Sequence, residues 1–83
     1  MISPKKSLGQ HFLKDKNIAA KIVSSLKAEG INTVVEVGAG MGVLTEYLFK
    51  RDDFATYAIE IDRSATDYLK TIFPGKSDRI LLA

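Results

Sequence analysis

Residues 34–48 read VVEVGAGMGVLTEYL, and Gly38, Gly40 and Gly42 stand at alternate positions after a β-branched run. This stretch constrains the chain more than any other. A strand that ends in glycines and reopens as a helix is the start of a βαβ unit. Glycine lets the backbone turn tightly there, and lets a ligand come close where a Cβ would otherwise intrude. Upstream of the glycines, TVVEV is short and β-branched, as a buried strand is. Downstream, VLTEYLFKR puts Leu44 and Leu48 one helical turn apart.

The pattern then repeats. ATYAIEI predicts a second strand, and Asp62 or Ser64 can cap a helix over ATDYLKTIF, with Ala65, Tyr68, Leu69 and Ile72 facing inward. Pro74-Gly75 predicts a turn, and RILLA opens a third strand. Before the first strand, NIAAKIVSSLKAEG predicts a helix carrying Ile18, Ala19, Ile22, Val23 and Leu26 on one face. Asp15 or Asn17 can start it and Gly30 can end it. Residues 1–14 show no period, and Ser3-Pro4 and Gly9 predict an irregular arm. Strand, helix, strand, helix, strand gives an α/β fold: three parallel strands with flanking helices and right-handed crossovers. Such a sheet needs cover on both faces and has two open edges. The expectation is therefore an N-terminal half of a larger domain, able to self-associate through its exposed strand edges.

Bulk properties exclude several function classes. Eighty-three residues make one small domain at most, and 46% hydrophobic with 27% charged residues is a soluble globular composition. The absence of cysteine rules out a disulfide framework, a thiolate metal site and a cysteine nucleophile. His11 is the single histidine and has no partner for metal binding, so no metal is expected. No apolar run approaches the ~20 residues of a membrane helix. MISPKKSLGQHF contains no apolar signal region, which gives a cytoplasmic protein without membrane contact as the expectation. The net charge of +2 is unevenly spread: residues 1–27 hold six lysines against Asp15 alone, a net of +5, and the remainder is −3. A basic N-terminal segment points to a polyanion such as nucleic acid, against the plainer reading of a solvated lysine-rich surface.

The glycine turn also discriminates between cofactors. A dinucleotide fingerprint, G-x-G-x-x-G, requires glycine at position 43, but Val43 stands there and the third glycine comes one residue early at Gly42. That weakens an NAD-binding reading. Glu36, two residues before Gly38, is awkward beside a pyrophosphate and suits an ammonium or a sulfonium, as in S-adenosylmethionine. Glu60 follows Gly38 by 22 residues, the spacing of a strand-end carboxylate that takes ribose hydroxyls. Burial without a partner would be costly for Glu60, which favours a ligand there. Ile61 can pack on the adenine face, and Asp62 has a competing role as a helix cap. In the arm, Gln10 and His11 offer polar groups beside apolar Phe12 and Leu13, which can pin the arm to the core.

KKSLGQHFLKD, followed by VVEVGAGMGVLT and AIEID, resembles the ribosomal RNA adenine N6,N6-dimethyltransferases over essentially all of residues 5–83. The erythromycin-resistance rRNA methyltransferases and the mitochondrial transcription factor B proteins are relatives of that family. The resemblance implies a Rossmann-like class I methyltransferase domain, of which residues 15–83 form a partial S-adenosylmethionine-binding part behind an arm of residues 1–14. It implies cofactor contacts from Gln10, His11 and Leu13, a glycine turn against the methionyl group, and Glu60 on the ribose. It implies dimethylation of adenine N6 in small-subunit rRNA, with the assembling small ribosomal subunit as partner. Family members also carry an acidic residue past the third strand, an Asn–Leu/Ile–Pro–aromatic motif for the target adenine, and a C-terminal helical RNA-binding domain. None occurs in residues 1–83. No catalytic residue is therefore assigned, and the 83-residue chain is expected to be the cofactor-binding half, inactive alone. The competing readings are a non-catalytic RNA-binding module or breakdown fragment, and a large-subunit enzyme of the resistance type.

Overall fold

The computed structural model describes residues 16–83. Helix α1 spans Lys16–Ser24, β1 Thr33–Val37, α2 Val43–Lys50, β2 Ala55–Glu60, α3 Arg63–Ile72 and β3 Ile80–Leu82, with a 3-10 segment at Pro74–Arg79 before β3. The strands form one parallel sheet in the order β1-β2-β3. This is the α/β architecture that the repeating pattern predicts.

The order explains where the helices lie. Two right-handed crossovers that both step in the same direction along a sheet place both helices on one face. Thr56, Ala58 and Glu60 of β2 are buried on that face, and the Thr56 hydroxyl reaches the carbonyl of Leu48 on α2. Leu69 of α3, Ala58, Ile80 and Ala39 form one core cluster, extended by an edge-to-face pair of Phe49 and Phe73 with ring centroids 5.2 Å apart. Val23 of α1, Leu48 and Phe54 form a second cluster. Leu69 has no exposed surface, so trimming such a side chain to alanine costs about 2–5 kcal/mol.

The other face is open. Val35 and Val37 alternate with the half-buried Val34 and Glu36, and the pairing sets them beside Tyr57 and Ile59. Val37 is 79% exposed, and Leu81 joins this surface next to Ile59. The flanking helices thus cover one face among the described residues, and β1 and β3 are the two edges. No helix among the described residues is long and apolar enough to cross a membrane.

Two expectations need correction. Helix α1 ends at Ser24, six residues before Gly30, and Leu26 lies outside it. Hydroxyls end it: Ser24 and Ser25 donate back to the carbonyls of Lys21 and Ile22. Arg51 then donates through Nη1 to the carbonyls of Val23 and Leu26 at 2.8 and 2.7 Å. The Val23 carbonyl also accepts from the Leu26 amide at 3.2 Å, so Arg51 adds a second donor there. On α3 the inward positions are Thr66 and Leu69, with Phe73 following, while Tyr68 and Ile72 are exposed. Of the two candidate caps, Asp62 is the N-cap of α3, accepting from the Ser64 amide at 2.9 Å, and the helix starts at Arg63.

Arg51 is held for its capping task by a bidentate pair with Asp53 and lies 4.8 Å from the Phe54 ring centre. The hydrogen bond from Arg51 holds the Asp53 carboxyl below its ordinary range. Such a group stabilises the fold above the unfolded carboxylate pKa, and that contribution is lost as pH falls through the lower folded value. Arg51→Lys is expected to lower the melting temperature, because an ammonium cannot span Asp53 and both carbonyls. Asp53→Asn is expected to flatten the acid limb of stability against pH. Thermal melts between neutral and acid pH check both, and unchanged profiles would count against the Arg51 cap.

Candidate functional site

The carboxyl ends of β1 and β2 carry the residues singled out by the sequence. Glu36 sits on β1 and pairs in register with Ala58, and Glu60 ends β2 two residues further along on the same face. Between them runs the glycine turn. It is anchored to the sheet by the amide of Gly38, which donates to the carbonyl of Ile59 at 2.8 Å. The turn closes through the Gly42 amide and the Ala39 carbonyl.

Glu60 is 8% exposed, and both oxygens of its carboxylate accept hydrogen bonds. Oε1 accepts from the Gly40 amide at 2.9 Å, and Oε2 accepts from the amides of Ile61 and Asp62 at 3.0 and 3.1 Å. The expectation that its burial calls for a ligand is therefore corrected, since the chain supplies the partners itself. Oε1, with a single donor, keeps acceptor capacity for a hydroxyl. Ile61, next in sequence, is 81% exposed and offers a free apolar surface beside that carboxylate.

Glu36 is half-buried and accepts a hydrogen bond from the Thr45 hydroxyl on α2. Its pKa is raised, first by burial and further by the charge of Glu60, while the Thr45 hydrogen bond opposes the rise. Among the described residues neither Glu36 nor Glu60 pairs with a lysine or arginine. Two uncompensated carboxylates at one end of the sheet make a site suited to a cation.

The three glycines have different reasons to be glycine. All have positive φ, from 58° at Gly40 to 83° at Gly42. A Cβ on Gly38 would meet nothing within 4 Å, and on Gly40 only the Gly38 carbonyl at 4.0 Å. That space is open to an approaching molecule. A Cβ on Gly42 would stand 2.7 Å from Leu69 Cδ2 and 3.0 Å from Phe73 Cε2. Gly42 is the N-cap position of α2 and lets α2 and α3 close together. A groove of about 380 Å³ beside the turn is lined by Lys16, Met41, Gly42, Glu46, Tyr68 and Phe73 among others, and neither Glu36 nor Glu60 lines it. Gln10, His11 and Leu13 lie outside the described residues.

Sequence reasoning missed Thr45, which is fully buried. Its signal was present in hindsight as a polar residue on the inward face of α2, one position after Leu44.

An open parallel α/β sheet with a glycine turn and carboxylates at the strands' carboxyl ends belongs to the class that takes ligands at that end. The sequence model of the ribosomal RNA adenine dimethylase family matches residues 1–81, and the chain belongs to that family. It is similar to proteins named ribosomal RNA small subunit methyltransferase A. The identity is 44% over 81 residues with that of Cytophaga hutchinsonii, covering 96% of this chain and 31% of the relative. It is 45% over 80 residues with that of Flavobacterium johnsoniae, covering 96% and 30%. With that of Salinibacter ruber it is 55% over 71 residues, covering 86% and 24%. The chain spans less than a third of the length of these curated relatives. No solved structure matches it.

The glycine analysis predicts unequal effects. Gly42→Ala combines backbone strain of about 1–2 kcal/mol with an overpacking penalty of about 1–3 kcal/mol. Gly38→Ala carries the strain alone. Denaturant melts of the two variants should show Gly42→Ala as clearly the less stable; equal losses would remove the packing role from Gly42.

Proposed function

We propose that this chain binds S-adenosylmethionine and forms the cofactor-binding part of an enzyme that dimethylates adenine N6 in small-subunit ribosomal RNA. The observation that carries the reading is the pair of unneutralised carboxylates, Glu36 and Glu60, flanking a turn that is sterically open at Gly38 and Gly40. An anionic dinucleotide is disfavoured beside two carboxylates, whereas a cofactor bearing an ammonium and a sulfonium is favoured. Family membership and the names of the relatives support the acceptor side of the reading.

In this reading Glu60 takes the ribose hydroxyls through Oε1, held in place by the Ile61 and Asp62 amides on Oε2. Ile61 covers one face of the adenine. Gly38 and Gly40 let the backbone approach the methionyl part, and Glu36 faces its positive charge. Gly42 acts indirectly, by fixing where α2 begins. Gln10, His11 and Leu13 of the arm complete the methionyl side. When bound, S-adenosylmethionine supplies an electrophilic sulfonium methyl to the target amine. The contribution of this part of the enzyme is to position and orient that group. The basic residues 1–27 provide attraction for the RNA backbone.

Calorimetry with S-adenosylmethionine tests the site. Glu60→Gln and Glu36→Gln are each expected to weaken binding about tenfold or more, the loss of a hydrogen bond to a charged group. Glu36→Gln should also raise the melting temperature of the unliganded chain near neutral pH. A carboxylate with a raised folded pKa destabilises the fold as pH climbs from its unfolded to its folded value, and the amide does not ionise. Equal affinities in wild type and Glu60→Gln would remove Glu60 from the site.

We also infer that the chain self-associates through the edge of β1, unpaired among the described residues, and the apolar face beside it. Strand edges that lack a partner recruit other chains. Sedimentation is expected to show a mass rising with concentration, and a monomer throughout would contradict this.

A further inference from the structure

We propose that Thr45 is a positioning residue: its hydroxyl fixes the Glu36 carboxylate in the orientation and charge state that a cationic cofactor requires. The inference rests on the cofactor reading above for its ligand, and on geometry for the residue. Thr45 lies in the first turn of α2 and has no exposed surface. A threonine in a helix ordinarily turns its hydroxyl to a backbone carbonyl one turn back. Thr45 instead donates across the turn to Glu36 Oε1, at 2.5 Å and nine residues away in sequence. The bond joins the first turn of α2 to β1 on either side of the glycines, so it also sets the span that the turn must bridge.

The charges around Glu36 make this bond consequential. Glu60 on the adjacent strand β2 repels a charge on Glu36, burial disfavours it, and no lysine or arginine of the described residues pairs with it. Thr45, from α2, is the group that opposes both effects. A donor hydroxyl stabilises the carboxylate form, and one donor on Oε1 leaves the carboxylate with further acceptor capacity. Without Thr45, Glu36 takes up a proton more readily and its rotamer is no longer fixed.

Thr45→Val removes the hydroxyl at nearly constant volume, and Thr45→Ser keeps it. In the full 83-residue chain without cofactor, ¹³C NMR of the Glu36 side-chain carboxyl is expected to titrate at higher pH in Thr45→Val than in wild type, with Thr45→Ser close to wild type. With S-adenosylmethionine, calorimetry across pH should show Thr45→Val weaker by about tenfold on the acid side, with the loss shrinking as pH rises. A valine variant with an unchanged Glu36 titration, or with the same fractional loss of affinity at every pH, would overturn the proposal and leave Thr45 a packing residue. If the wild type fails to bind S-adenosylmethionine, the cofactor reading falls. The carboxyl titration still decides whether Thr45 governs Glu36.

Discussion

The carboxylate of Glu60 ties the structure together at its functional end. It gathers three amides from two separate segments, the glycine turn at Gly40 and the entry to α3 at Ile61 and Asp62. Charge-assisted bonds of this kind are stronger than neutral ones. They are also obligatory here, since an unpaired charge at 8% exposure would be costly. The turn is thus set by a side chain of the neighbouring strand as much as by its own glycines. The N-terminus of α3 adds its favourable field for a negative group. A ligand that meets Glu60 finds the carboxylate already fixed, so little ordering remains to be done on binding.

That arrangement has a consequence for Glu36. A second carboxylate on the same face is repelled by the first and disfavoured by burial. The chain leaves this repulsion in place, because no basic side chain of the described residues neutralises either group. Stability is therefore lower with both carboxylates ionised, and the proposed cationic cofactor would relieve that repulsion. The alternative, a structural role for Glu36 alone, would be served as well by a neutral amide. The hydroxyl of Thr45 also fits the ionic form, since it donates to a carboxylate that can only accept.

The strands were legible in the sequence because their signals are local. Thr33–Val37 and Ala55–Glu60 are β-branched or alternating runs bounded by turn residues, and they fold within a residue of where the pattern puts them. The sheet order follows from short right-handed crossovers. What the sequence hid was tertiary. Gly30 is a plausible helix stop, yet α1 ends at Ser24, where the Ser24 and Ser25 hydroxyls bond back and Arg51, far along the chain, reaches the carbonyls of Val23 and Leu26. Tyr68 and Ile72 fit a helical face as well as Thr66 does, and only the position of β3 and α2 decides between them. The glycines were legible as glycines, but their division into two open ones and one packed against Leu69 and Phe73 depends on how α3 crosses the turn. Likewise the partners of Glu60 are backbone amides, which carry no residue signature.

Charge is segregated along the chain, which fits the proposed pairing of a small cationic cofactor with a polyanion. Residues 28–83, which hold Glu36 and Glu60, are net negative, and residues 1–27 are net positive. A single mixed surface would serve neither ligand, because a polyphosphate backbone is repelled by the carboxylates that attract a sulfonium. Segregation along the chain solves this. The sheet end keeps its acidic pair close together and partly buried, where screening by salt is weak and a small cation is discriminated sharply. The lysines are spread over an N-terminal segment, where each adds a modest, salt-sensitive attraction suited to a long polyanion.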